Sequence, residues 1–147
     1  MQFQFPRKWP LPAFAGALLL LIGCGVIWLK AEHEPMAARQ VAEEFLVKLQ
    51  AGDFRGAHEL TLKNTLVGKT AQDLAQVSQR QLCKVTRLTS TSPFQSNGNR
   101  MRRRALGMEV EMPEVRVEFE GACLLGVTVR HTASGSWKVF NFASHAG

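Results

Sequence analysis

The sequence predicts an α+β protein in which an N-terminal transmembrane helix precedes three helices packed on an antiparallel sheet of four to five strands. Three observations carry that prediction. An apolar block without charge runs from Leu11 to Leu29, apolar residues then recur at helical spacing as far as Leu82, and from Val85 onward the period shortens to two. The chain has 147 residues and no internal repeat, which suits about one domain of ~100 to 200 residues.

The first element is the block LPAFAGALLLLIGCGVIWL. About 20 apolar residues cover a hydrocarbon core of ~30 Å, so residues 10–29 are expected to span a membrane, after a short cytoplasmic tail of residues 1–9. Trp9 and Trp28 suit the headgroup level, while Arg7, Lys8 and Lys30 mark the two aqueous edges. Pro10 and Pro12 fall at the helix start, where a missing N–H costs little. A second reading is open, because Leu21-Ile22-Gly23-Cys24 resembles a bacterial lipobox with Cys24 as the lipidated residue. The run Gly25-Val26-Ile27-Trp28-Leu29 stays apolar past that cysteine, which suits an intact span better. A cleaved signal fits less well, since its apolar segment usually has ~7 to 15 residues. The basic residues on the short tail favour an N-terminus in the cytoplasm. The expected location is therefore the inner membrane, with the C-terminal domain periplasmic or otherwise extracytoplasmic.

Residues 30–35 form a polar joint, and residues 36–147 form the soluble domain. Ala38, Val41, Ala42, Phe45, Leu46 and Leu49 define one helical stripe, which Gly52 ends. Asp53 caps a shorter helix through Phe54, Ala57 and Leu60. Thr70 with Asp73 three residues on gives a variant capping box for a third helix through Leu74, Val77 and Leu82. Val85 to Thr89 predicts a short strand, and Ser90 to Gly98 a loop around Pro93. Leu106, Met108, Val110 and Met112 alternate as a further strand until Pro113 interrupts it. Val115, Val117 and Phe119 alternate with Arg116, Glu118 and Glu120, the pattern of a sheet with one wet face. Residues 123–132 and 137–142 close the sheet as a hairpin through Ala133-Ser134-Gly135-Ser136.

The segment Phe45-Leu46-Val47-Lys48-Leu49-Gln50-Ala51-Gly52-Asp53-Phe54-Arg55-Gly56-Ala57 resembles the helix-Gly-Asp-helix opening of the nuclear-transport-factor-two-like superfamily. Gly135-Ser136-Trp137-Lys138-Val139-Phe140 is similar to that superfamily's closing strand. The resemblance covers Pro35 to Phe142, through short and degenerate motifs. It implies a curved antiparallel sheet wrapped on a long helix into a cone with a pocket. It also implies relatives among the membrane-anchored assembly factors of secretion machines.

Enzymes on that cone-shaped fold usually pair an Asp with Tyr or His inside the pocket. This chain has no tyrosine, and both of its aspartates, Asp53 and Asp73, sit where helix caps belong. No reaction is therefore expected, although His58, Glu118 and His131 are candidate pocket residues. No His or Cys spacing matches a metal site, and no cofactor is expected. Cys83 and Cys123 are candidates for a disulfide, or else two buried free thiols. The strongest charge feature is Asn99-Arg100-Met101-Arg102-Arg103-Arg104, read as a basic cluster leading into a strand. Arg100, Arg102, Arg103 and Arg104 are candidate contacts for an acidic partner or anionic lipid, or a solvated loop. Nucleic acid is not expected, because interleaved aromatics and a binding motif are both missing.

These readings converge on a membrane-anchored, non-catalytic scaffold or assembly subunit of the bacterial cell envelope. Its expected partners are membrane lipid and other envelope proteins, and it is a candidate homo-oligomer. The alternatives are a module that binds a small apolar ligand in the cone, and a lipoprotein lipidated at Cys24.

Overall fold

The computed structural model describes residues 11–145, with side chains from Gly16 onward. The expected N-terminal tail, with Arg7, Lys8 and Trp9, lies outside the described residues. Nine elements follow in the order α1 (Leu11–Lys30), α2 (Met36–Gln50), α3 (Phe54–Glu59), α4 (Ala71–Gln81), β1 (Val85–Ser92), α5 (Asn97–Ala105), β2 (Glu114–Gly121), β3 (Leu124–His131) and β4 (Trp137–His145).

The expected membrane anchor is not upheld. Among the described residues no helix is long and apolar enough to cross a membrane. That finding overturns the single-pass topology, the signal anchor and the inner-membrane location together. What the structure does show is a helix whose leucines and isoleucines from Leu18 to Ile27 are exposed, and whose C-terminal end rests on α5.

α2 follows its stripe closely: Ala38, Ala42, Phe45, Leu46 and Leu49 are its buried residues. Gly52, at φ 77°, adopts the left-handed conformation that lets the chain turn directly into the next helix. Asp53 then caps α3, its Oδ1 accepting from the Gly56 N–H at 2.9 Å. At α4 the capping box is complete. Thr70 Oγ1 accepts from the Asp73 N–H, and Asp73 Oδ2 accepts from the Thr70 N–H at 3.0 Å. Both aspartates are thus occupied by backbone donors.

The sheet has four strands in the order β1-β2-β3-β4, all antiparallel. Val115, Val117 and Phe119 point from β2 into the core, as do Leu125, Val127 and Val129 from β3 and Val139 and Phe142 from β4. α2 packs on that face over β2, β3 and β4. Phe45 and Phe142 meet edge to face with ring centroids 5.3 Å apart. Burying each such side chain contributes about 1.5–3 kcal/mol. Between α2 and strands β3 and β4 the layer is consequently filled by side chains.

The wet face carries Arg116 and Glu118 from β2. Gly126 on β3 lies directly beneath the Arg116 guanidinium, which would occupy the space of any β-carbon there. Thr132 and Ser136 close the β3–β4 hairpin, with Gly135 at φ 81° in the turn. Cys83, just after α4, and Cys123, in the β2–β3 turn, are joined by a disulfide with Cα atoms 6.1 Å apart.

One predicted strand is absent from the described residues. Leu106 to Met112 forms no ladder, and the preceding loop instead winds into α5, so the sheet stops at four strands. The alternation of Leu106 and Met108 belongs to an exposed turn.

Candidate interaction surface

α5 is built by local signals at both ends. Ser96 caps it, with Oγ accepting from the Asn99 N–H at 3.2 Å. Three arginines in the last turn, Arg102, Arg103 and Arg104, face the negative end of the helix dipole. Gly107, at φ 67°, then closes it as a Schellman motif: the Met108 N–H donates to the Arg103 carbonyl at 2.9 Å and the Gly107 N–H to the Arg104 carbonyl at 3.1 Å.

The helix is nonetheless held at arm's length, since none of its own residues is buried. Its attachments are polar. The Asn97 N–H donates to the Ala31 carbonyl at 3.0 Å and its Nδ2 to the Trp28 carbonyl at 3.1 Å, tying α5 to the end of α1. Arg100 forms a two-pronged pair with Glu111, Nη1 to Oε2 at 2.9 Å and Nη2 to Oε1 at 2.6 Å. Buried Gln95 donates to the Val110 carbonyl at 2.8 Å and accepts from Arg100 at 3.4 Å. The Arg100 hydrogen bonds hold the Glu111 carboxyl below its ordinary range. His33, whose N–H donates to the Gln95 carbonyl at 2.7 Å, is pushed down by partial burial and then by the nearby Arg100.

The basic cluster therefore divides. Arg100 is a structural tie, and Arg103 is half engaged, its Nε donating to the Glu109 carbonyl at 2.6 Å. Arg102 and Arg104 have no hydrogen-bonding or ion-pair partner among the described residues and point outward with Met101, Leu106 and Met108, which are 54%, 66% and 50% exposed. Exposed apolar side chains thus flank the cationic ones on both sides along one short stretch, an apolar patch with charge in its midst.

The candidate pocket residues are not brought together. His58 on α3 lies 3.3 Å from the Gly68 carbonyl oxygen. Glu118 accepts from Arg116 Nε at 3.1 Å and from Ser90 Oγ at 3.2 Å on the wet face. His131, at the end of β3, pairs with Glu109 at 2.9 Å and stacks on Trp137 with centroids 5.0 Å apart. Among the described residues no three His, Cys, Asp or Glu side chains are placed to hold a metal ion. His33 belongs to the Gln95–Arg100–Glu111 cluster, and His145 ends β4 against Arg116.

No protein-family model, curated protein or solved structure matches this chain.

Proposed function

We propose that this protein is a non-catalytic assembly module, which works by docking an acidic protein partner on α5 and the turn that follows it. One observation carries the reading: α5 is a well-capped helix that buries none of its residues, and it presents Met101, Arg102, Arg104, Leu106 and Met108 to the outside. Exposed methionine and leucine among arginines is the composition of a contact core with charged surroundings. The alternative, a module for a small apolar ligand enclosed between α2 and strands β3 and β4, is disfavoured by the close packing of Phe45, Leu49, Val127 and Phe142 in that space. His58, Glu118 and His131 also lie apart from one another and form no joint pocket site. The helix laid on one face of an antiparallel sheet supports retaining the nuclear-transport-factor-two-like architecture as a proposal for the domain.

Affinity capture of the full chain, compared with the double variant R102E/R104E, tests this reading. An acidic protein that is lost from the variant, and that rebinds the purified chain about tenfold more weakly once both charges are reversed, is the expected result. Rebinding of equal strength to both chains would overturn it.

A further inference from the structure

The two edges of the sheet are finished differently. The outer side of β4 is closed. The Val139 N–H donates to the Leu60 carbonyl and the Leu62 N–H to the Val139 carbonyl, both at 2.9 Å, and Asn64 Nδ2 donates to the Phe140 carbonyl at 2.8 Å. β1 lies at the opposite end of the strand order, and among the described residues nothing is hydrogen-bonded along its outer side. Open edges are ordinarily blunted by proline, lysine or bulges. The β1 sequence VTRLTSTS contains neither proline nor lysine, and its single charge, Arg87, is held by Glu120 at 2.7 Å. Register shifts between Val85 and Arg87 and between Leu88 and Ser90 bend the strand, and Ser90, Thr91 and Ser92 then pair in unbroken register with Glu118, Val117 and Arg116.

A trough runs beside this edge. Between α2 and β1 lies a hollow of about 290 Å³, with an apolar floor of Leu46, Val47, Leu88 and Phe119 and with Glu43 and Arg87 on its rim. A second hollow of about 390 Å³ continues past Leu88 to Phe94, flanked by Glu32 and Glu34. Arg39 partly offsets Glu34 and Glu43, whereas Glu32 has no ion-pair partner among the described residues. Glu32, Glu34 and Glu43 thus face the trough against Arg39 and Arg87, and Arg87 is itself held by Glu120, which leaves a small acidic excess there although the chain as a whole carries +6. A cationic occupant would be selected by this trough and opposed by the rest of the surface.

The geometry points to a fifth strand supplied by a partner: an extended segment that pairs with β1, lays alternate apolar side chains on the Leu46–Leu88–Phe119 floor, and carries lysine or arginine at its ends against Glu43 and Glu32. Strand addition gives affinity through main-chain hydrogen bonds and selectivity through every second side chain. This surface is separate from α5, and the inference does not depend on the docking proposed there.

The test uses the full chain and a capped synthetic octapeptide, with lysine at both ends and valine or leucine alternating with serine between them. Hydrogen exchange should slow in residues 85–92 when the peptide binds. N-methylation of the peptide along one edge, but not the other, should weaken binding at least tenfold, because only one edge faces β1. Replacing the terminal lysines by glutamate, or making E43K in the protein, should weaken it similarly. Equal binding by both N-methylated peptides, or protection confined to residues outside 85–92, would overturn the assignment. So would slowed exchange in 85–92 that rises with protein concentration and needs no peptide, since a second copy would then be the occupant. Loss of peptide binding in R102E/R104E with E43K silent would transfer the peptide to α5.

Discussion

Replacing Phe45 by alanine should cost about 3–5 kcal/mol, the range for emptying a fully buried phenylalanine site. Phe45 is 0% exposed, lies midway along α2, and meets the Phe142 ring edge to face at 5.3 Å, a contact that adds about 0.5–1.5 kcal/mol beyond the area it buries. α2 packs against α3 and three different strands, so no single element can move in to fill the void. Urea unfolding followed by circular dichroism, with m unchanged between wild type and F45A, would read the loss directly. A double-mutant cycle with F142L isolates the ring–ring part. A loss below about 1 kcal/mol would refute the reasoning, because it would mean that the space between helix and sheet is not close-packed. The apolar-ligand reading would then regain its ground.

Other outcomes follow from named contacts. Reducing the Cys83–Cys123 disulfide, or replacing both cysteines by serine, should lower stability by about 4 kcal/mol for a 40-residue separation, read as a shift of the urea midpoint with and without reductant. G121A should destabilise by about 1–3 kcal/mol, since its β-carbon would lie 2.3 Å from the Lys84 carbonyl oxygen and 2.6 Å from the Val85 Cα, both backbone atoms. Stability should fall in two stages on acidification. His33 is lowered from 6.5, so the unfolded chain takes up a proton first and the loss begins as pH drops below about 6.5. Glu111 is lowered from 4.5, so a further loss begins below about 4.5 and continues until the folded-state carboxyl is protonated. The H33N variant should lack the first stage, and a melting-temperature series from pH 8 to pH 3 would show whether it does.

Where the sequence was legible, a local rule and the packing agreed. Thr70 and Asp73 announced α4 because a capping box is a purely local arrangement, and Val115, Val117 and Phe119 announced β2 because one face of that strand is buried. α5 was illegible for the opposite reason. With no buried residue it has no apolar stripe, and its Asn97-Gly98-Asn99 start looks like a turn. The usable signals were Ser96 as a cap and three arginines placed for a helix C-terminus, which read equally well as a basic loop. Strand alternation at Leu106 and Met108 misled because exposed apolar residues imitate the pattern of a half-buried strand. The site divided along the same line. Arg102 and Arg104 could be singled out from composition, whereas the capture of Arg100 by Glu111 and Gln95 depends on how the chain folds back at Val110. The apolar block from Leu11 to Leu29 was read as a span from its composition, whereas among the described residues no helix is long and apolar enough to cross a membrane.

Whether α5 and the turn after it form a docking surface can be read in cells by placing a photo-crosslinking amino acid at Met101 or Leu106, with Gln76 on α4 as the control position. An adduct of one defined mass should form at both Met101 and Leu106 and not at Gln76, and it should be lost when Arg102 and Arg104 become glutamate. Adducts of equal yield at Gln76, or none at either Met101 or Leu106, would rule the docking surface out.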